Sequence, residues 1–297
     1  MYDLVISITA WNVRELLQGC LASIFANPPR QSYRVAVLDD HSSDGTPDMV
    51  RKEFPAADLT VNEKNLGFIR SNNLILQRYE GQARYYLLLN ADTVVWAGAL
   101  DALVEFADEH TDAGIVGGKL VRPDGRLDWP CKRSFPTPSV FFYRALRLDK
   151  LFPKSRRFGR YHLTYLDENE THEVDAVSGA LLLIRGRTLQ QIGLMDQQFF
   201  MYGDDLDWCF RGKAAGWKVD YYPKAVATHY KSASNKKRPF RMIYWWYRSA
   251  WIVYKKSLAP RYSRLTNGVV FLGMYFMLGV SLLANLLRHS KSLPSRR

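Results

Sequence analysis

The chain has 297 residues, 47% of them hydrophobic and 13% aromatic, enough to fill the core of one large domain or two small ones. Its three cysteines, Cys20, Cys131 and Cys209, are odd in number and far apart. This excludes a disulfide framework and a cysteine metal site, and it points to a reducing compartment. The net charge of +12 is uneven: residues 221–297 hold 15 Lys or Arg and no Asp or Glu, while residues 1–220 hold 26 basic against 29 acidic residues. A mildly acidic body with a basic tail suggests an anionic surface, either nucleic acid or membrane.

The first ten residues lack a charged n-region and a long apolar run, so they read as a first strand (residues 4–9) rather than a signal peptide. Residues 13–25 carry apolar side chains at helical spacing. A short strand at 35–38 ends in Asp39-Asp40-His41-Ser42-Ser43-Asp44-Gly45-Thr46, with Pro47 at a helix start. A strand at 59–61, a loop at 62–67 and a helix at 68–79 follow. Residues 85–89 are five uninterrupted apolar or aromatic residues, which suits a strand buried on both faces of a parallel sheet. Strands alternate with helices, as βαβ units require.

That fourth strand runs into Asn90-Ala91-Asp92. If the extended geometry continues, Asn90 and Asp92 point to one side, where two oxygens can hold a divalent cation. The commoner reading is an Asx turn closing the strand. No Gly-x-Gly-x-x-Gly and no P-loop follows any strand; the strand ends carry Asp39, Asp40, Asp44 and Asp92 instead. Such carboxylates accept hydrogen bonds from a base or a ribose, or else cap turns and helices.

After a helix at 99–109, residues 115–128 read as a hairpin around Pro123-Asp124-Gly125. Residues 129–160 are Pro-rich, aromatic and basic, either an acceptor- or membrane-facing flap or a mobile surface loop. Strands are expected at 174–177 and 181–185. Gly203 permits a sharp turn into a helix that opens Asp204-Asp205-Leu206-Asp207, with Arg211 placed to pair with Asp207. A strand at 219–222 is expected to end at Pro223, leaving His229 in a polar loop, where a lone histidine is more often structural than a ligand.

In the order they occur, residues 37–46, Asn65-Leu66-Gly67-Phe68 with Asn72, residues 88–93, 178–185, 199–211 and 223–229 resemble an inverting family 2 glycosyltransferase of the GT-A fold. The resemblance covers about residues 3–232 and is greatest to the rhamnosyltransferase-like branch that builds bacterial cell-surface polysaccharides. It implies an α/β fold, a Rossmann-like mixed and mainly parallel sheet flanked by helices. It implies donor binding by Thr9, Asp39, Asp40, Asn65, Gly67, Asn72, Asn90 and Asp92, with Asp39 on the nucleotide base. Asp92 aligns with the metal-binding acid of Asp-x-Asp, Asn90 with its first acid, and His229 with a residue that reaches the metal or diphosphate. The implied cofactor is Mg²⁺ or Mn²⁺. Asp205 aligns with the catalytic base, and Asp204 stands where relatives have Glu. Asp204, Trp208 and Arg211 form the implied acceptor and helix-cap group. Inverting transfer needs one base for the acceptor hydroxyl and positive charge on the leaving diphosphate.

In the tail, Arg241, Arg248 and Lys255 recur every seven residues among aromatics, the pattern of an interfacial helix. Residues 265–287 carry no charge and are long enough to span a bilayer. Basic residues on both sides favour an in-plane or re-entrant segment over a full span. The expected organisation is a transferase domain at 1–235, with a flap or acceptor region at 129–170, and a membrane-association segment at 236–297. The expected partners are a nucleotide-sugar donor, with dTDP-rhamnose ahead of a UDP-hexose, a polyprenyl-diphosphate-linked glycan acceptor and a membrane surface. The expected location is the cytoplasmic face of the bacterial inner membrane. A non-catalytic membrane- or nucleic-acid-binding protein is the alternative from another class; the hydrophobic run beside the basic residues speaks against nucleic acid.

Overall fold

Apolar runs set the strands, and amphipathic stretches between them set the helices. A computed structural model of the chain describes residues 1–231 and 239–290. Two compact units result, residues 1–197 with 204–232, and residues 198–203 with 233–297. The expected boundary at 235/236 and the basic residues Lys291, Arg296 and Arg297 lie outside the described residues.

The first half alternates β1 (Tyr2–Ala10), α1 (Arg14–Ala26), β2 (Tyr33–Asp39), α2 (Thr46–Glu53), β3 (Asp58–Val61), α3 (Phe68–Arg78) and β4 (Ala83–Leu89). Next come β5 (Thr93–Val95), α4 (Ala99–Glu109) and β6 (Ala113–Val121). The segment expected as a flap holds β7 (Lys132–Arg133), α5 (Pro138–Ala145) and α6 (Leu148–Leu151). The unit closes with β8 (His172–Glu173), β9 (Ala176–Val177), β10 (Leu181–Arg185), α7 (Gly186–Ile192), α8 (Asp204–Ala214) and β11 (Lys218–His229).

The main sheet runs β3-β2-β1-β4-β10-β6-β11-β5, with β8 also paired to β11. β1, β2, β3 and β4 are mutually parallel, as are β6 and β11. β10 enters antiparallel between β4 and β6, with Leu181 opposite Leu89 and Arg185 opposite Tyr85. Tyr85 through Leu89 are all buried, as the unbroken apolar run requires of a strand covered on both faces.

Two expectations need correction. Pro223 does not end its strand. β11 continues to His229, and its register against β6 shifts between Tyr222 and Val226, a break in the ladder where a missing N–H is tolerated. His229 therefore closes a strand, opposite Thr93, rather than lying in a loop. The hairpin around Pro123-Asp124-Gly125 is present but short: the Gly125 N–H closes the turn on the Arg122 carbonyl, Arg122 and Asp128 donate to the Arg126 and Leu120 carbonyls, and Val121 bridges Leu127 at the end of the long interior strand 113–121. The segment after it is partly interior as well: Lys132 is fully buried and its ammonium donates to the Leu163 and Leu166 carbonyls. All three cysteines are buried and free.

In the second unit, α9 (Pro239–Val253) and α10 (Arg264–Ser290) pack together through Tyr247 on Ser281 and the rings of Trp251 and Phe271, and Tyr254, just past α9, donates to Asn267. Arg248 donates to the Gln198 carbonyl and lies over Trp245, and Arg241 lies over Phe200. Residues 264–286 are long and apolar enough to cross a membrane. Leu265, Val269, Leu272, Phe276, Leu283 and Leu286 lie exposed along α10 at spacings of three, four or seven residues, one stripe of the helix.

Gly117 permits β9 to close on β6, since a Cβ there would sit 2.3 Å from the Val177 Cβ. Gly117→Ala is expected to cost about 1–3 kcal/mol of stability by overpacking, read as a lower urea midpoint with an unchanged slope.

Candidate active site

The carboxyl ends of β1, β2 and β4 carry the first group of polar side chains. Asp39, at the end of β2, is fully buried; its Oδ2 accepts the Ser42 N–H at 2.9 Å, while Oδ1 is buried with no partner among the described residues. A buried carboxylate oxygen without a donor is costly unless a ligand or water supplies one. Asp40 is turned to its own loop instead. Its oxygens accept the Asn62 side-chain amide and the N–H groups of Leu66 and Gly67, so it folds the 62–67 loop around itself. Gly67 sits at φ +84°, which a side chain would strain. Asn65 is exposed on the same loop. Asn72 is buried and ties α3 to β1 through the Ser7 and Thr9 hydroxyls and the Phe68 carbonyl. It holds Thr9 in place rather than opening toward a ligand.

The extended geometry of β4 stops at Leu89. Asn90 to Thr93 make a turn closed by the Thr93 N–H on the Asn90 carbonyl, so Asn90 and Asp92 are not aligned by strand alternation. The turn returns the chain into β5, which pairs with the end of β11 and brings His229 to Asp92, Nε2 to Oδ1 at 3.4 Å. On the other ring nitrogen, Nδ1 donates to Asp128 at 3.0 Å. Asp128, almost fully buried, also pairs with Lys231 at 2.5 Å. Burial works against a charge on His229, but its bonds to Asp128 and Asp92 outweigh this and raise the imidazole to about 9. Burial likewise pushes Asp128 up, and the bonds from His229 and Lys231 carry it below the usual carboxylate range.

No cluster of three or more His, Cys, Asp or Glu gathers for a metal among the described residues. The donors present are the Asp92 carboxylate and the Asn90 amide oxygen, joined by the His229 imidazole once its Nε2 gives up the proton it shares with Asp92. That set fits Mg²⁺ or Mn²⁺, which keep waters and take substrate phosphate oxygens, better than a closed structural site.

The second group stands at the start of α8. Asp204 is 8% exposed, Asp205 is partly open, and Asp207 is buried in a pair with Arg211. Burial, and then the Asp205 charge, push Asp204 up to about 7. Asp205 Oδ2 accepts Arg133 Nη2 at 2.5 Å and the Gly179 N–H at 3.3 Å, and its Oδ1 accepts the Leu206 N–H at 2.8 Å. Trp208 is 0% exposed, its N–H on the Gly193 carbonyl, and Arg211 also donates to the Ile192 and Leu194 carbonyls. Both tie α8 to residues 192–194.

Three residues join the two groups. The Ala180 carbonyl accepts the Asn90 N–H, and the Gly179 N–H reaches Asp205, so Ser178-Gly179-Ala180 lies between the turn after β4 and the start of α8. Asp128 and Arg133 are absent from the residues expected by sequence. Each lies in a segment without periodicity, and each finds its partner far along the chain, at His229 and at Asp205.

A mixed α/β sheet with acids gathered at its strand ends, facing a second acidic group at a helix start, defines a glycosyltransferase of the GT-A kind. The chain belongs to glycosyltransferase like family 2, whose family model matches residues 3–248. It is similar to an N-acetylglucosaminyl-diphospho-decaprenol L-rhamnosyltransferase of Mycobacterium tuberculosis, 30% identical over 83% of this chain and 81% of that one. A shorter match, 30% identical over 30% of this chain and 34% of the other, is to the rhamnosyltransferase WbbL of Escherichia coli. Among solved structures, GalNAc-T7 with UDP, GalNAc and Mn²⁺ superposes with a TM-score of 0.58 at 14% identity, over 79% of this chain and 44% of that chain. S. aureus TarS 1-349 superposes at 0.54 and 15% identity, over 85% and 65%. At these identities the two structures show the fold.

The raised Asp204 has a consequence for stability. Between about pH 4 and 7 the folded chain holds a proton that the unfolded chain releases, so this contribution is complete below about 4 and lost as pH rises through about 7. Asp204→Asn cannot ionise. Relative to wild type it is expected to gain at least about 1.4 kcal/mol between pH 5 and pH 8, the worth of one pKa unit, as measured by urea unfolding.

Proposed function

We propose that the chain transfers L-rhamnose from dTDP-rhamnose, with inversion, to a polyprenyl-diphosphate-linked glycan during cell-surface polysaccharide synthesis. The observation that carries this reading is the similarity, over 83% of this chain, to the mycobacterial L-rhamnosyltransferase, whose name gives a decaprenol-diphosphate-linked N-acetylglucosamine acceptor. The geometry is consistent with it. The unpartnered Asp39 Oδ1 is placed to accept a base N–H, with Asp40, Asn65, Gly67, Asn72 and Thr9 shaping the donor loop. Asp92, Asn90 and His229 would hold Mg²⁺ or Mn²⁺. When bound, that ion supplies positive charge for the leaving diphosphate.

Asp205 takes the proton from the acceptor hydroxyl as that oxygen attacks the anomeric carbon in line. No protein nucleophile takes part. Asp204 stands beside it, and its burial favours the protonated form, which keeps a second negative charge away from the attacking oxygen. The exposed stripe on α10 supports docking on the cytoplasmic face of the inner membrane, with residues 265–287 in plane or re-entrant.

The reaction is tested with purified protein in detergent, a panel of dTDP- and UDP-sugars, a short polyprenyl-diphosphate N-acetylglucosamine acceptor, and Mg²⁺, Mn²⁺ or EDTA. Release of dTDP from dTDP-rhamnose is expected, suppressed by EDTA, and about 100-fold slower or more in Asp205→Asn. UDP release from a UDP-hexose would reassign the donor; undiminished turnover in Asp205→Asn would move the base elsewhere.

Membrane docking has a separate readout. The wild type is expected to float with vesicles containing anionic lipid, and the pair Leu272→Glu and Phe276→Glu to stay at the bottom of the gradient. Equal flotation of both proteins would remove α10 from the docking surface.

A further inference from the structure

The segment between β6 and β8 sends one buried cation into the acidic group at α8. Arg133 is 8% exposed, and its guanidinium donates to the Val177 carbonyl at 2.9 Å as well as to Asp205. Its Nε has no partner among the described residues. A guanidinium taken out of water requires a matched anion, and Asp205 is the only one this side chain bonds among the described residues. Its backbone is fixed too: β7 pairs with β9, Arg133 opposite Ala176, and β9 is held against β6 by Val177 over Gly117.

The lone pairs on Asp205 can be counted. Each carboxylate oxygen accepts about two hydrogen bonds. Oδ2 takes two, from Arg133 and from Gly179. Oδ1 takes one, from Leu206. One acceptor position therefore remains, and it is on Oδ1. Without Arg133, Oδ2 would keep only the 3.3 Å bond from Gly179, and the carboxylate would be free to turn about its Cβ–Cγ bond.

We propose that Arg133 is a positioning residue: it holds Asp205 Oδ2 so that Oδ1, with its remaining lone pair, faces the acceptor hydroxyl. This rests on the reading of Asp205 as the base. Because Arg133 belongs to the 129–170 segment, the same bond ties the placement of that segment to the orientation of the base.

The test compares wild type, Arg133→Met, Arg133→Lys, Asp205→Asn and the Arg133→Met/Asp205→Asn double variant, assayed with dTDP-rhamnose and the short polyprenyl-diphosphate N-acetylglucosamine acceptor. Thermal unfolding checks folding and calorimetry with dTDP checks donor binding. Arg133→Met is expected to lower kcat about 100-fold, the size of a small misplacement at a reacting centre, while dTDP Kd and acceptor KM stay within about threefold. Arg133→Lys keeps the charge but not the fork, and is expected to recover about threefold or more of the lost rate. In the Asp205→Asn background, Arg133→Met is expected to change the residual rate by less than about threefold, since a residue acting through Asp205 has nothing left to act on. Independent, multiplying effects would overturn the proposal.

Removing one partner of a buried pair can unfold a chain, and in that event Arg133→Lys carries the test: a fall in kcat of about tenfold with unchanged dTDP binding supports it, and wild-type kcat refutes it. Wild-type turnover by Asp205→Asn would bring down the base and the positioning role together. Loss in Asp205→Asn with wild-type turnover in both Arg133 variants would bring down the positioning role alone. A crystal structure of Arg133→Met with the Asp205 carboxylate unmoved would also overturn the proposal, whatever the turnover.

Discussion

One strand running against its neighbours fixes the geometry on which the rest depends. β10 lies between β4 and β6 and is antiparallel to both. Its first residues therefore fall at the carboxyl ends of the parallel strands, where open α/β sheets hold ligands. That is why Ala180 meets Asn90 and Gly179 meets Asp205, although the three regions are far apart in sequence. A parallel strand in the same place would carry residues 178–180 to the opposite edge of the sheet and separate the two acidic groups.

Around this hub the fold tolerates charge where packing alone would exclude it. Asp39, Asp128, Asp204 and Asp207 are all buried, and Arg133 with them. They fall into two kinds. Asp207 with Arg211 is a structural pair, bonded on to backbone carbonyls, and Asp40 is engaged by three donors of the loop it folds. Asp39, Asp204 and the imidazole between Asp92 and Asp128 are open: each has an unmet lone pair, a raised pKa or two competing partners. Strained electrostatics of the open kind gather at functional sites, because they relax only when a ligand arrives.

Much of this was legible in the sequence, and the reason is locality. The buried run at 85–89, the alternation of strands and helices, the Asp207–Arg211 pair one helical turn apart and the acids at strand ends all follow from spacing within a few residues. Spacing failed where a long-range partner decides. Pro223 resembles a terminator, yet it lies where the ladder against β6 is already out of register. Asp128 and Arg133 carry no periodic signal, and only the folded sheet brings them to His229 and Asp205.

The order of strands also sets an order in time. β1 to β4, with α1 to α3, form a parallel half complete within the first 89 residues, in the order β3-β2-β1-β4. β4 then waits for β10. At usual translation rates the stretch between them takes on the order of ten seconds to emerge. During that interval Tyr85 to Leu89 form an unpaired apolar strand edge, the kind that joins to another chain when nothing covers it. The nascent half-sheet is thus an association-prone form of this polypeptide, and slower synthesis lengthens its exposure rather than relieving it.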